Sequence, residues 1–303
     1  MRKFVITLLT FTIPVIVLLG LCEFVARGTP NSYKYKDDWM QKNHQSVKTL
    51  ILGNSHTYMG VKPEYLGDSV FNLANLGQSL YYDQYLINRF VDRCSNLKTI
   101  IIPISTCSLF DKSMEEQRQW YRCIYYKLYM GCEDHGFFSK YNYELSNPDY
   151  CIKKIGKFVR LKLGDKDYGY DAYGWCTDCE PGLLTNQEWD ESKGEIEDHK
   201  RALETLGSNV DILKDVARTC KKKNIRLVLI TTPTWHTYYD DFPQNQLKEM
   251  YRGIECVEKT CNVEYYDYLK DKRFEAIDFY NCSHLSRVGA IKFSQILSQD
   301  LKL

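Results

Sequence analysis

Three stretches of the chain are almost continuously apolar and stop abruptly at small polar residues. Residues 46–53 (SVKTLILG) run into Asn54-Ser55-His56, residues 98–104 (KTIIIPI) into Ser105-Thr106-Cys107, and residues 225–231 (IRLVLIT) into Thr232-Pro233. A strand buried on both faces reads this way, because neither face alternates with solvent. Residues 82–94, 210–222, 244–259 and 287–300 lie among these runs and carry apolar positions at helical spacing. Strands alternating with helices predict an α/β fold: a parallel central sheet flanked by helices in three layers, with right-handed crossovers. Ligands of such sheets bind beyond the carboxyl ends of the strands, so the residues just after each strand matter most. Residues 111–206 break the alternation and are expected to form a large insertion capping the sheet. The insertion holds Trp120, Trp175 and Trp189, which suit either stacking on sugar rings or packing a small core of its own.

The N-terminus follows a different pattern. Residues 4–22 (FVITLLTFTIPVIVLLGLC) are nineteen positions without a charge. At about 1.5 Å per residue they reach across a hydrocarbon core of about 30 Å. A single transmembrane anchor is expected there. A signal peptide cleaved after Ala26 is the nearer alternative. Lipoprotein processing at Cys22 ranks behind it, because Leu21 stands where a small residue is required. Arg2 and Lys3 precede the span, so residues 1–3 are assigned to the cytoplasm and the rest to the outside, periplasmic or extracellular. The polar residues 23–45 read as a stalk, which leaves residues 46–303 for the folded domain.

Composition narrows the function. Forty Lys plus Arg against 39 Asp plus Glu leave a net charge of +1, so the field that nucleic-acid binding needs is missing and no nucleic-acid partner is expected. The mean hydropathy of −0.43 excludes a polytopic membrane protein, and the expected lipid contact is the N-terminal helix alone. Of twelve cysteines, Cys22 falls in the anchor and an odd number remains outside. Cys176-Thr-Asp-Cys179 fits a redox pair, half of a zinc site or two unrelated thiols. A second CxxC and a His at ligand spacing are both missing, which argues against zinc. Cys123 with Cys132, and Cys256 with Cys261, are candidate bridges. No strand is followed by GxGxxG or a P-loop, so no cofactor and no metal are expected.

Chemistry concentrates at two places. Ser55 follows the first buried strand, where a hydroxyl is presented to substrate. His284 lies in a loop near the other end (Asp278-Phe-Tyr-Asn281-Cys-Ser-His284-Leu285), directly before an amphipathic helix. A serine hydroxyl needs an adjacent base to act as a nucleophile, and His is the usual one. His56 is too close in sequence to serve its neighbour as base and suits a structural or substrate-contact role. His236 follows a strand and could line the same cleft, whereas His44, His135 and His199 sit in polar surroundings.

At these two places the chain resembles the SGNH, or GDSL-like, hydrolase and acyltransferase superfamily. Gly53-Asn54-Ser55 matches its first block; His284-Leu285 with Gly289-Ala290 matches its last. The resemblance covers the sheet core, about half of the chain. It implies a three-layer α/β sandwich in which Ser55 attacks an ester and His284 takes its proton. It also implies an oxyanion hole including Gly77, with Asn75 or the hydroxyl of Ser105 as further donors. Two departures stand out. The family's aspartate three residues before the His is Asn281 here, and the nearest carboxylate is Asp278, so the resemblance implies Asn281 or a backbone carbonyl as the group that orients His284, with Asp278 in that role only if the loop folds back. The Gly-x-Asn-Asp of the third block is absent after residue 104. Such departures resemble the membrane-anchored branch that modifies polysaccharides beside membrane-bound O-acyltransferases. The expectation is thus an esterase or O-acyltransferase using a Ser55-His284 dyad on cell-envelope or exported polysaccharide, with such an O-acyltransferase as a candidate partner. The alternative is a non-catalytic carbohydrate-binding subunit of an envelope polysaccharide-modification complex.

Overall fold

The computed structural model describes residues 1–111, 114, 120–133, 142–181, 200, 203–261 and 263–303. Its centre is a five-stranded sheet in the order β2-β1-β3-β4-β5, parallel throughout: β1 (Thr49–Ile51), β2 (Val70–Asn72), β3 (Thr99–Pro103), β4 (Arg226–Thr231) and β5 (Glu264–Asp267). The three apolar runs form the middle of this sheet, and β1 and β3 are buried at every position. Burial on both faces is why they lack alternation. The two flanking strands are the ones the hydrophobic pattern does not announce. β2 has three residues, and β5 (EYYD) is a partly exposed edge strand.

Helices cover the sheet in two groups. Leu80–Phe90 and Gln244–Cys261 both pack against Leu206–Lys222. A short helix, Ser55–Gly60, packs against the terminal helix Arg287–Leu301. All four expected helices are present.

The N-terminal helix runs unbroken from Arg2 to Gly28 through Pro14, and Ala26 is its one buried residue. It is long and apolar enough to cross a membrane. The expected stalk is corrected by the structure. Residues Ser32–Asn43 form a helix capped by Asn31, whose side chain accepts from the Lys34 amide at 2.9 Å. Tyr33, Lys36, Asp37 and Met40 are buried, and Trp39 stacks on Phe71 of β2 with ring centroids 3.8 Å apart. Arg89 pairs with Asp37 at 2.9 Å. The folded body therefore begins near Thr29, not at residue 46. Lys36 donates to the Ala74 carbonyl and lies 4.0 Å over the Tyr58 ring, and desolvation drives its ammonium well below the usual lysine range.

Between residues 111 and 206, where an insertion capping the sheet is expected, the described parts make two sets of contacts. Pro148–Lys162 is a helix lying against the end of the N-terminal helix. A loop around residues 170–180 laces the two chemistry-bearing helices together: Trp175 Nε1 donates to Met59 O at 2.7 Å, Cys176 N to Tyr58 O at 3.1 Å, and Arg287 N to Cys179 O at 2.6 Å. Trp175 is buried among Tyr58, Met59 and Ala290, so it packs a core and does not offer a face to a sugar. Trp120 is partly exposed, and Trp189 lies outside the described residues.

Candidate active site

The turn after β1 is set by close packing. Gly53 has φ +103°, and a Cβ there would lie 2.1 Å from Pro103 Cδ, so only glycine lets the β1 and β3 ends approach. The Gly53 N–H donates to Asp83 Oδ1 at 2.8 Å, and Thr57 Oγ1 donates to Leu52 O at 2.6 Å. Asn54 then caps the helix that Ser55 begins, accepting from His56 N at 3.1 Å. Ser55 is held at the carboxyl edge of the sheet on a turn fixed from both sides.

At the other end, Phe279–Asn281 and His284–Leu285 pair as a small antiparallel hairpin. Ser286 caps the terminal helix, accepting from Gly289 N at 3.2 Å. Gly289 is required by proximity, since a Cβ there would lie 2.0 Å from the Asp278 carbonyl oxygen. This packing aims the imidazole at the β1 turn. Ser55 Oγ and His284 Nε2 are 2.7 Å apart, hydrogen-bond distance between residues 229 positions apart in sequence.

The third member is Asn281. Its Oδ1 accepts from His284 N at 2.8 Å and Ser283 N at 3.2 Å, and faces His284 Nδ1 at 3.0 Å. Two main-chain N–H groups can only donate, so the amide atom facing them is the oxygen. That oxygen then requires the proton on His284 Nδ1. Nε2 is left with its lone pair toward Ser55, the tautomer a general base needs. Ser283 Oγ, 2.9 Å from Nδ1, is a further contact that the sequence reading missed.

Asp278 is not part of this arrangement. Its buried carboxylate accepts from Glu275 N at 2.8 Å in a capping box and pairs with Lys292 at 2.7 Å. The expectation that it could orient His284 is corrected: it holds the hairpin's base to the terminal helix. His56 stacks on the His284 ring, centroids 4.7 Å apart and planes 23° apart, with its Nδ1 3.0 Å from Asn54 Oδ1. It forms a wall for the imidazole. His236, 48% exposed, lies 3.8 Å from Asp240, and His44 Nδ1 is 3.1 Å from Met40 O; His135 and His199 lie outside the described residues.

The three oxyanion candidates fare differently. Leu73 N to Ile51 O (2.7 Å) and Asn75 N to Gly53 O (3.1 Å) carry the β1–β2 ladder past the strands, which brings the 75–77 loop beside the turn that holds Ser55. Gly77 is in that loop with φ +67° and partly exposed. Asn75 points inward: it is fully buried, its Oδ1 accepts from Ser32 Oγ at 3.1 Å and its Nδ2 donates to Gln78 at 3.4 Å. Ser105 is buried against Ser108 (Oγ to Oγ, 2.6 Å), with Asn54 Nδ2 at 3.4 Å. Asn75 and Ser105 therefore shape the floor under Asn54 and Gly77. Beneath them lies Asp83, which hydrophobic patterning hid inside an aromatic helix start. It is buried, accepts from Gln78 Nε2 at 2.7 Å as well as from Gly53, and burial pushes its carboxyl up to about 7.

Cys176 and Cys179 are both buried, with Cys179 Sγ donating to the Cys176 carbonyl at 3.4 Å. Among the described residues no group of three or more His, Cys, Asp or Glu could hold a metal ion.

No family profile matches the chain, and no curated protein matches it at the level of sequence. Solved structures are similar, and two of them follow. One, from Bacteroides fragilis, is described as a candidate acylhydrolase; the match has 11% identity, covers 87% of this chain and 94% of that one, and has a TM-score of 0.44. The other, from Bacteroides thetaiotaomicron, is described as a GDSL-like lipase; it has 10% identity, covers 90% of this chain and 98% of that one, and has a TM-score of 0.41. The likeness is one of fold.

Proposed function

We propose that the protein is a membrane-anchored serine esterase or O-acyltransferase of the SGNH type, acting on O-acyl groups of cell-envelope or exported polysaccharide. The observation that carries this reading is the relay Ser55 Oγ, His284 Nε2, His284 Nδ1, Asn281 Oδ1, at 2.7 and 3.0 Å. Ser55 attacks the acyl carbonyl while His284 takes its proton at Nε2. The alkoxide of the tetrahedral intermediate is met by the Ser55 N–H, which as a first helical residue has no intrahelical acceptor, and by the Gly77 N–H. Collapse expels the alcohol, which takes the proton back from His284. Water or a sugar hydroxyl then attacks the acyl-Ser55 ester by the same route in reverse. The helix Arg2–Gly28 is the anchor. Arg2 and Lys3 orient it with the folded body outside, and tethering favours transfer because it holds the site beside a membrane-delivered acyl group. A membrane-bound O-acyltransferase is the partner such chemistry calls for.

The test is turnover of 4-nitrophenyl acetate by the full-length protein, with and without acetyl-free oligosaccharides as acceptors, read by absorbance and by acceptor mass. Turnover lost in Ser55→Ala and His284→Ala supports the reading, and a gain of one acetyl on the acceptor makes it a transferase. Glycan binding with no turnover and no acetylated acceptor would make the chain a binding subunit instead.

A further inference from the structure

The helix Pro148–Lys162 is built unlike the others. It packs against the end of the N-terminal helix, with Thr29 Oγ1 donating to Lys154 O at 3.3 Å, and the segment that leads into it is bound there too: Glu23 accepts from Glu144 N at 3.1 Å and Leu145 N at 3.0 Å, and Arg27 donates to Asn142 O at 2.8 Å. Lys154, the basic residue on the inner side, is paired with buried Glu144. The contacts fall on residues 23–29, just past the uncharged run. If that run crosses the bilayer, the second helix lies at the level of the lipid headgroups.

Its outer face suits that level. Ile152, Val159 and Leu163 are 67%, 49% and 83% exposed. At 100° per residue they fall within about 40° of one another, a single apolar stripe. Lys153 and Arg160 flank the stripe on one side and Lys162 on the other. Residues 148–166 hold six basic and two acidic side chains in a chain of net charge +1. An apolar stripe edged by cations is the pattern of a helix lying in a membrane interface, where apolar residues enter the acyl boundary and cations meet anionic headgroups. Water gives no reason to expose three large aliphatic residues in one row.

We propose that Pro148–Lys162 is an interfacial helix that seats the folded body on anionic phospholipid of the same bilayer, through Ile152, Val159 and Leu163 with Lys153, Arg160 and Lys162. It rests on the anchoring reading above. Since Thr29 ties this helix to the end of the anchor, and Glu23 and Arg27 tie the 142–145 segment that leads into it, seating it fixes the tilt of the body, and with it the height of Ser55 above the lipid.

The experiment places a benzophenone amino acid singly at Phe11, Leu163 or Ile277 of the full-length protein in vesicles of phosphatidylcholine with or without phosphatidylglycerol. Ile277, 55% exposed, belongs to the hairpin region and serves as the distant control. Lipid adducts after irradiation are read by mass. The proposal predicts adducts at 11 in both vesicles and at 163 chiefly with phosphatidylglycerol, with 277 at background. Lys153→Glu, Arg160→Glu and Lys162→Glu together should reduce the adduct at 163 to the level of 277, since roughly a factor of five is at stake per basic residue. Adducts at 11 with none at 163 overturn the interfacial helix and leave the anchor standing. Adducts at neither overturn both. An adduct at 163 that ignores lipid charge and the triple substitution refutes the electrostatic part.

Discussion

Asn281 stands where a carboxylate would be expected, and its replacement separates a working relay from a relic. Asn281→Ala removes the acceptor of three donors, at 2.8, 3.0 and 3.2 Å. Ser283 is fully buried and His284 only partly exposed, so the two main-chain groups lose an acceptor that water replaces incompletely and the fold should lose about 1–3 kcal/mol. The imidazole, however, loses the contact that fixes its tautomer. An amide presenting the wrong atom costs about 10⁴ in rate in a serine triad; simple loss of orientation, with Ser283 Oγ still 2.9 Å from Nδ1, should cost about 10²–10³. Asn281→Asp keeps every acceptor and adds a charge beside the imidazolium that forms in the transition state. A charge-assisted bond is roughly twice as strong as a neutral one, a gain of about 1 kcal/mol or some fivefold in kcat. The acidic limb of the pH profile should move upward with it, because the carboxylate favours protonated His284. The assay is ester turnover from pH 5 to 9 on the two variants, beside thermal unfolding. Alanine at wild-type rate, or aspartate slower by tenfold or more, would refute the assignment of Asn281 Oδ1 as the orienting group.

Two further outcomes follow from the floor of the site. Burial lifts the Asp83 carboxyl from 3.8 to about 7, so the folded state holds a proton the unfolded chain releases. The associated stability is complete below pH 4 and lost as pH rises through 7, roughly 4 kcal/mol in all. Asp83→Asn keeps an acceptor for Gly53 N–H and should flatten the fall in thermal midpoint from pH 5 to 8; parallel profiles for variant and wild type would contradict this. Gly53→Ala forces a Cβ to 2.1 Å from Pro103 Cδ at φ +103° and should cost more than about 3 kcal/mol in denaturant unfolding. A loss under about 0.5 kcal/mol would show that the β1–β3 approach is loose.

The strands that build the site were legible because each is buried on both faces and ends at the residue that matters. Ser55 could be named for that reason, and His284 because its loop runs directly into an amphipathic helix. Asp278 was misjudged because distance along a loop does not report direction: the capping box with Glu275 turns its carboxylate toward Lys292. The helix Ser32–Asn43 was hidden because its buried face includes Lys36 and Asp37, which no apolar periodicity reveals. Its clearest sequence signals were Asn31 as a cap and the isolated Trp39 and Met40. Asp83 and Ser283 were silent for a related reason, since their roles come from contacts made only when distant loops meet.

The central claim, that His284 activates Ser55, is tested most directly by reacting the full-length protein with a fluorophosphonate and locating the adduct by peptide mass. The account predicts an adduct on Ser55 that is absent in Ser55→Ala and forms at least 10²-fold more slowly in His284→Ala. No adduct on Ser55, or one forming at the same rate without His284, would contradict it.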